Sequence, residues 1–162
     1  MLIRAARPED AAEIADVHVR SWQAAYEHLL GAERLAGIDV ERRRRLWEGA
    51  LAERTPIWVA ESEGRVVGFV SIGDSRDAEG GGEGELYSIY ALPGVWGAGA
   101  GPGLMAAARE ALRERYETSI LWVAEDNPRA RRFYEREGWT LDGGRKEDEL
   151  LGVKVAEVRY RI

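Results

Sequence analysis

The sequence predicts an α+β, or mixed α/β, domain, and three observations carry that prediction. Apolar residues at helical spacing fill the region from residue 9 to residue 51. Short runs rich in β-branched and aromatic residues follow at 57–60, 65–72 and 85–92, separated by turn residues. A strand–helix–strand unit then spans residues 85–124, and its crossover helix requires at least one parallel strand pair.

Taken in order, Leu2-Ile3-Arg4-Ala5 reads as a short strand, and Pro8, Glu9 and Asp10 suit a helix start. Ile14, Val17, Ser21, Ala25 and Leu29 predict one helix over 9–29, or two broken near Arg20. Asp39 is placed to cap a second helix in which Val40, Trp47 and Leu51 share a face, closed by Thr55-Pro56. The runs at 57–60 and 65–72, joined through Glu61-Ser62-Glu63-Gly64, form a hairpin, and Glu85 to Leu92 adds a third strand. Glu79 to Gly84 reads as a flexible glycine loop before it. Leu104–Arg115 is a helix and Ser119–Ala124 a buried strand. Asn127-Pro128 opens a further helix that Gly138 ends, and Gly152–Tyr160 is the last strand.

The 162 residues fit a single domain, 1–162, and 45% hydrophobic against 32% charged residues is ordinary globular composition. A formal net charge of −6 argues against a nucleic-acid partner, which needs a basic face to neutralise phosphates. The run Glu41-Arg42-Arg43-Arg44-Arg45 reads as a solvated helix face. Without cysteine there is no disulfide, thiolate catalysis or cysteine metal site, and His18 and His28 alone make no metal centre. No run approaches the ~18 apolar residues of a spanning helix, and the N-terminus lacks the pattern of a signal peptide. A soluble, cytoplasmic protein without a membrane partner is expected.

The chemistry concentrates in Leu92-Pro93-Gly94-Val95-Trp96-Gly97-Ala98-Gly99-Ala100-Gly101-Pro102-Gly103-Leu104, between a strand and a helix. Glycines let backbone N–H groups turn toward a ligand, and the helix start adds unsatisfied donors and partial positive charge. Alone, such a run is as much a tight structural turn as a phosphate loop. No Gly-Lys-Ser/Thr follows, so it is not a P-loop, and strands and helices precede it where a dinucleotide fingerprint would open the fold.

Two segments sharpen this reading: Tyr90 to Gly101, and Asn127-Pro128-Arg129-Ala130-Arg131-Arg132-Phe133-Tyr134-Glu135-Arg136-Glu137-Gly138-Trp139. In their order and context they resemble the GNAT superfamily of acetyl-CoA-dependent N-acetyltransferases, over nearly the whole chain. The resemblance implies a central, mostly antiparallel sheet with one parallel strand pair, flanked by helices. It also implies transfer of an acetyl group from acetyl-CoA, with no metal, to a primary amine of a small molecule or peptide, by direct attack in a ternary complex. Ile89, Tyr90 and Ala91 correspond to the strand that pairs with the pantetheine arm, and Gly97, Ala98, Gly99, Ala100, Gly101 and Pro102 to the loop around the pyrophosphate. Asn127 matches a cofactor contact as well as a helix cap. The family's loop reads Gln/Arg-x-x-Gly-x-Gly/Ala. Trp96 stands where Gln or Arg is usual, and Pro102 has no N–H to offer.

The resemblance assigns Tyr134 to protonation of the departing thiolate, a position that a core aromatic beside Phe133 would also fill. A phenol of pKa ~10 can donate to a thiolate of pKa ~8.5. Glu85 stands where some members carry a base, and strand alternation would put Glu85, Tyr87 and Ile89 on one face. Ordered water is the other route for the proton. Trp22, Tyr26, Glu27 and Tyr87 are the expected acceptor-site wall, and a homodimer is the expected assembly. A transferase for another acyl-CoA, a non-catalytic CoA-binding module and a nucleotide-binding protein are the rival readings.

Overall fold

A computed structural model describes residues 1–77, 79 and 81–162, so the glycine-loop reading of Glu79–Gly84 lies partly outside the described residues. The chain runs β1 (Leu2–Ala5), α1 (Ala11–Ala25), α2 (Glu27–Leu30), α3 (Ala32–Ala36), α4 (Val40–Ala52), β2 (Ile57–Ser62), β3 (Arg65–Asp74) and β4 (Gly84–Ala91). It continues through α5 (Ala100–Arg115), β5 (Ser119–Ala124), α6 (Pro128–Arg136), β6 (Thr140–Leu150) and β7 (Val153–Arg161). The strands make one seven-stranded sheet in the order β1-β2-β3-β4-β5-β7-β6. Every neighbouring pair is antiparallel except β4 and β5, the strands joined by the α5 crossover.

Alternation along the strands sorts side chains to two faces. Val70, Ile72, Leu86, Leu121 and Val123 pack against Leu104, Met105, Ala108 and Leu112 of α5, with Trp139 and Tyr160 in the same cluster. On the other face Val59 and Phe69 meet Ile14 and Val17 of α1 and Trp47 of α4. Tyr26, Leu30 and Leu35 close the end of that face over Ala124 and Val155. Asp39 caps α4 as expected, its carboxylate accepting from the Arg42 N–H at 3.0 Å. His18 is a core histidine: burial, then the nearby Arg43 charge, hold its pKa down at about 3. Its Nδ1 accepts from the Trp47 Nε1–H at 3.2 Å.

Four elements depart from the sequence reading. The first helical stretch breaks at Tyr26 (φ −116°, ψ 11°), not near Arg20, and two short helices follow. Local donors explain the restart, because the Leu29 and Leu30 N–H groups both reach the Tyr26 carbonyl. The strand β6 was not expected at all. Its residues are almost all polar or glycine and mostly exposed, so it carries no apolar alternation to read, and as an edge strand its charges guard against stray pairing. The α5 helix begins at Ala100 and not at Leu104, which takes Gly101, Pro102 and Gly103 into its first turn.

The fourth departure is a β-bulge in β4. Ser88 pairs with Ser71 and Leu86 with Ile72, which leaves Tyr87 as the extra residue. The alternation flips there. Leu86 packs on the α5 side together with Ile89 and Ala91, and Glu85 therefore faces the opposite side. The expectation that Glu85, Tyr87 and Ile89 share one face is corrected by that single inserted residue.

Candidate active site

The parallel contact between β4 and β5 consists of Gly84 with Ser119 and Glu85 with Ile120. Beyond those rungs the strands no longer pair, which leaves an opening between Leu86–Ala91 and Leu121–Ala124. Gly84 sits at the vertex, where a Cβ would run into the side chains of Leu112, Tyr116 and Ser119.

The β4 edge of the opening has free backbone. The Leu92 N–H donates to the Val67 carbonyl at 2.9 Å, so antiparallel alternation turns Tyr90 toward β3 and turns Ile89 and Ala91 outward. Of the residues expected to pair with a pantetheine arm, Ile89 and Ala91 thus offer backbone groups, and Tyr90 offers its side chain instead. The outward Ala91 carbonyl accepts from Trp96 Nε1–H at 2.9 Å and from Ser21 Oγ at 3.3 Å.

The glycine turn leads from that edge into α5. Gly97 (φ 81°) and Gly99 (φ 95°) take the left-handed conformation that favours glycine, with Gly99 as the residue before the helix. Among the described residues, the N–H groups of Gly97, Gly99, Ala100 and Gly101 have no partner, whereas Ala98 N–H bonds the Val95 carbonyl at 3.0 Å. Four free donors at a helix start make an anion cradle, and Pro102 forgoes a fifth. The cradle also holds a cation that the sequence reading missed. The Arg129 guanidinium lies 3.2 Å from the centroid of the Trp96 ring, and desolvation lowers its pKa. No carboxylate pairs with it among the described residues. A cation in the first turn of α6, where the helix dipole disfavours it, was the available signal.

Tyr134 of α6 joins the core cluster that holds Ala100 and Leu104 of α5. The Asn127 side chain caps α6 by accepting from Ala130 N–H at 3.2 Å, and Pro128 fits its first turn. One face of α6 then packs inward. Its Tyr134 ring is 8% exposed, 5.7 Å from the Phe133 ring and 6.2 Å from the Tyr160 ring. Tyr160 is itself fixed, donating to Glu135 at 2.8 Å and accepting from Arg131 at 3.0 Å. The Tyr134 hydroxyl has no protein partner among the described residues, and burial, with Tyr26 nearby, pushes its pKa up. A phenol held protonated and otherwise unengaged is a proton donor in waiting.

Trp22 and Tyr26 lie together, their rings 5.3 Å apart, with Tyr26 beside Tyr90 and Asn127. Burial raises the Tyr26 phenol and raises Tyr90 well above its ordinary value. Glu27 and Tyr87 are placed elsewhere. Glu27 is exposed at the start of α2. Tyr87 donates to the Asp74 carbonyl at 2.6 Å, with Arg76 4.1 Å over its ring, toward the far end of β4. Glu85 is 2% exposed, and both its oxygens are engaged by Arg76, at 2.9 Å from the backbone N–H and 2.6 Å from the guanidinium.

The acetyltransferase (GNAT) family profile matches residues 8–139, the stretch that holds the cradle, the opening and Tyr134. The chain belongs to the GNAT acetyltransferase family. Among GNAT relatives, it is 34% identical over 159 residues to the uncharacterized N-acetyltransferase YuaI of Bacillus subtilis, covering 96% of this chain and 89% of that one. An uncharacterized N-acetyltransferase of Mycobacterium tuberculosis, Rv2669, is 34% identical over 141 residues, covering 84% and 86%. Of solved GNAT-like structures, the ribosomal-protein-alanine N-acetyltransferase of Brucella melitensis superposes with a TM-score of 0.73 at 25% identity, over 100% of this chain and 99% of that one. The fold also matches yncA of Salmonella typhimurium, solved with acetyl-CoA, at a TM-score of 0.75 and 22% identity, covering 100% and 92%. Among the described residues no cluster of metal-ligating side chains forms and no helix is long and apolar enough to cross a membrane.

Proposed function

We propose that this acetyltransferase moves an acetyl group from acetyl-CoA to a primary amine of a small molecule or peptide, by direct attack in a ternary complex. The observation that carries the reading is the split between β4 and β5. It leaves outward backbone on β4 unpaired, with free N–H donors at the glycine turn and an unpartnered, protonated phenol, Tyr134, in the core cluster that Leu86 of β4 and Leu121 and Val123 of β5 share. The N–H groups of Gly97, Gly99, Ala100 and Gly101, with Arg129, would hold the pyrophosphate, and the outward groups of Ile89 and the Ala91 N–H would pair with the pantetheine amides.

Bound acetyl-CoA supplies an activated thioester. Outward N–H groups of β4 polarise its carbonyl, and Tyr134 donates its proton to the departing sulfur. Attack needs a neutral amine, and ordered water in the opening carries its proton away. Glu85 can take that proton only after Arg76 leaves it, a movement open to a side chain that is 65% exposed. A homodimer is kept as the assembly to be measured by light scattering.

The test is a panel of primary amines with acetyl-CoA, following release of free CoA and the mass of the product. An N-acetylated product supports the reading. Tight acetyl-CoA binding without turnover on any amine would favour the non-catalytic module, and preference for a longer acyl chain would overturn the donor.

Arg129 supplies a separate expectation. Arg129→Ala should weaken acetyl-CoA binding about 10-fold, the size of one lost charge-assisted contact, with a shallower salt dependence by calorimetry. Unchanged affinity would remove Arg129 from the cradle.

A further inference from the structure

Trp96 is 39% exposed and, among the described residues, joins none of the apolar clusters of the core. It is nevertheless held at both ends. Its backbone N–H donates to the Pro93 carbonyl at 3.2 Å, and its Nε1–H donates to the Ala91 carbonyl at 2.9 Å. The indole is thereby fixed between the end of β4 and the glycine turn, where core packing gives no reason for so large a ring.

What rests on the ring is Arg129, its guanidinium carbon 3.2 Å from the centroid. An edge-on guanidinium would put a nitrogen about 1.3 Å nearer still, inside van der Waals contact, so the group lies flat on the indole. Its N–H donors are then turned sideways along the rim of the stack. Arg131, two residues on, is engaged by the Tyr160 hydroxyl and the Glu125 carbonyl, and Arg145 takes the Glu125 carboxylate. Among the described residues Arg129 has neither an ion pair nor a side-chain hydrogen bond, so the indole is what fixes it. A second contact sets this stack beside the free N–H groups of the turn. Phe133 lies one helical turn beyond Arg129 on the same side of α6, and its ring is 3.4 Å from the position of a Gly101 Cβ.

We infer that Trp96 is a positioning residue: pinned to Ala91 and Pro93, its ring presents the edge of the Arg129 guanidinium to a diphosphate on the N–H groups of Gly97, Gly99, Ala100 and Gly101. The inference rests on the acetyl-CoA reading and deepens it. Both N–H groups of Trp96 are already engaged, so it offers the ligand no donor of its own and acts through Arg129. A free surface arginine must give up rotamer freedom when it grips an anion, whereas one stacked on a fixed ring has lost that freedom beforehand. The same hydrogen bond closes the Ala91 carbonyl to the pantetheine arm.

The experiment measures acetyl-CoA affinity by calorimetry over a range of salt concentrations. It uses the full chain as the parent, Trp96→Leu, Trp96→Phe, Arg129→Ala and the Trp96→Leu, Arg129→Ala double variant. Trp96→Leu should weaken binding about 2- to 5-fold, the size of an exposed cation–π contact, and should make the salt dependence shallower, as Arg129→Ala does. Trp96→Phe keeps a ring under the guanidinium and should recover part of the affinity and the parent's salt dependence. In the Arg129→Ala background, Trp96→Leu should change affinity by less than about 1.5-fold, because the arginine it positions is gone. A Trp96→Leu cost that is equal in both backgrounds, or an affinity and salt dependence like the parent's, would overturn the inference. If the parent does not bind acetyl-CoA, the cofactor reading falls instead, and inorganic pyrophosphate becomes the probe. Pyrophosphate bound by the parent and weakened in Trp96→Leu would support the inference, and its absence or an unchanged affinity would sink it.

Discussion

Tyr134→Phe is expected to lower kcat by about 10²-fold or more, the lower end of what a positioned general acid contributes. The acetyl-CoA Kd should stay within about 2-fold, since no charge-assisted contact worth a 10-fold change is removed. The substitution deletes one oxygen and leaves the ring against Phe133 and Tyr160. Because that oxygen has no protein partner among the described residues, its loss strands no donor or acceptor, and stability should hardly move. The raised phenol pKa also gives the pH profile a sign. The group stays protonated across neutral pH, so its expected contribution is lost only when alkaline pH titrates it. Stopped-flow or steady-state thiol release, set beside calorimetry, tests both halves. Parent and variant with equal kcat would end the acid role.

Gly84→Ala should cost about 1–3 kcal/mol of stability, the range for forcing a methyl group into a filled core, and should impair acetyl-CoA binding as well. The added carbon meets Leu112, Tyr116 and Ser119 at once. Leu112 belongs to the main cluster and Ser119 is the strand partner across the parallel contact, so relief comes by moving β4 from β5. That shift changes the angle of the opening at its vertex. Urea titration with and without acetyl-CoA reads both effects, and a variant with an unmoved midpoint and unmoved affinity would show that the vertex tolerates displacement.

How much could be read without coordinates depended on whether a feature is written locally. The crossover at 85–124, the Asp39 and Asn127 caps and the hairpin at 57–72 are local patterns, and they are present in the structure. Strand β6 escaped because an exposed, charged edge strand has no apolar periodicity. The bulge at Tyr87 escaped because it is a relation between strands: nothing in the β4 sequence says which residue β3 will leave unpaired. Of the candidate site, the position of the glycine turn before α5 and of Tyr134 on a capped α6 was legible from motif and context. Arg129 was not: its place in the first turn of α6 was the only trace of it in the sequence, and its want of a carboxylate partner is visible only in three dimensions.

The brevity of the β4–β5 contact also bears on the order in which the molecule is made. Strands β1 to β4 all precede β5 in the chain, pair among themselves, and are followed by the α5 helix that covers them. A nascent chain can therefore close this first leaf before β5 has been synthesised, as N-terminal units do during translation. The second leaf, β5 with β7 and β6, docks onto it through a contact only two residues deep, and it brings α6 and Tyr134 along. The glycine turn that opens α5 and the α6 helix that carries Tyr134 thus belong to successive stretches of one polypeptide, and only the late docking event brings them into one core.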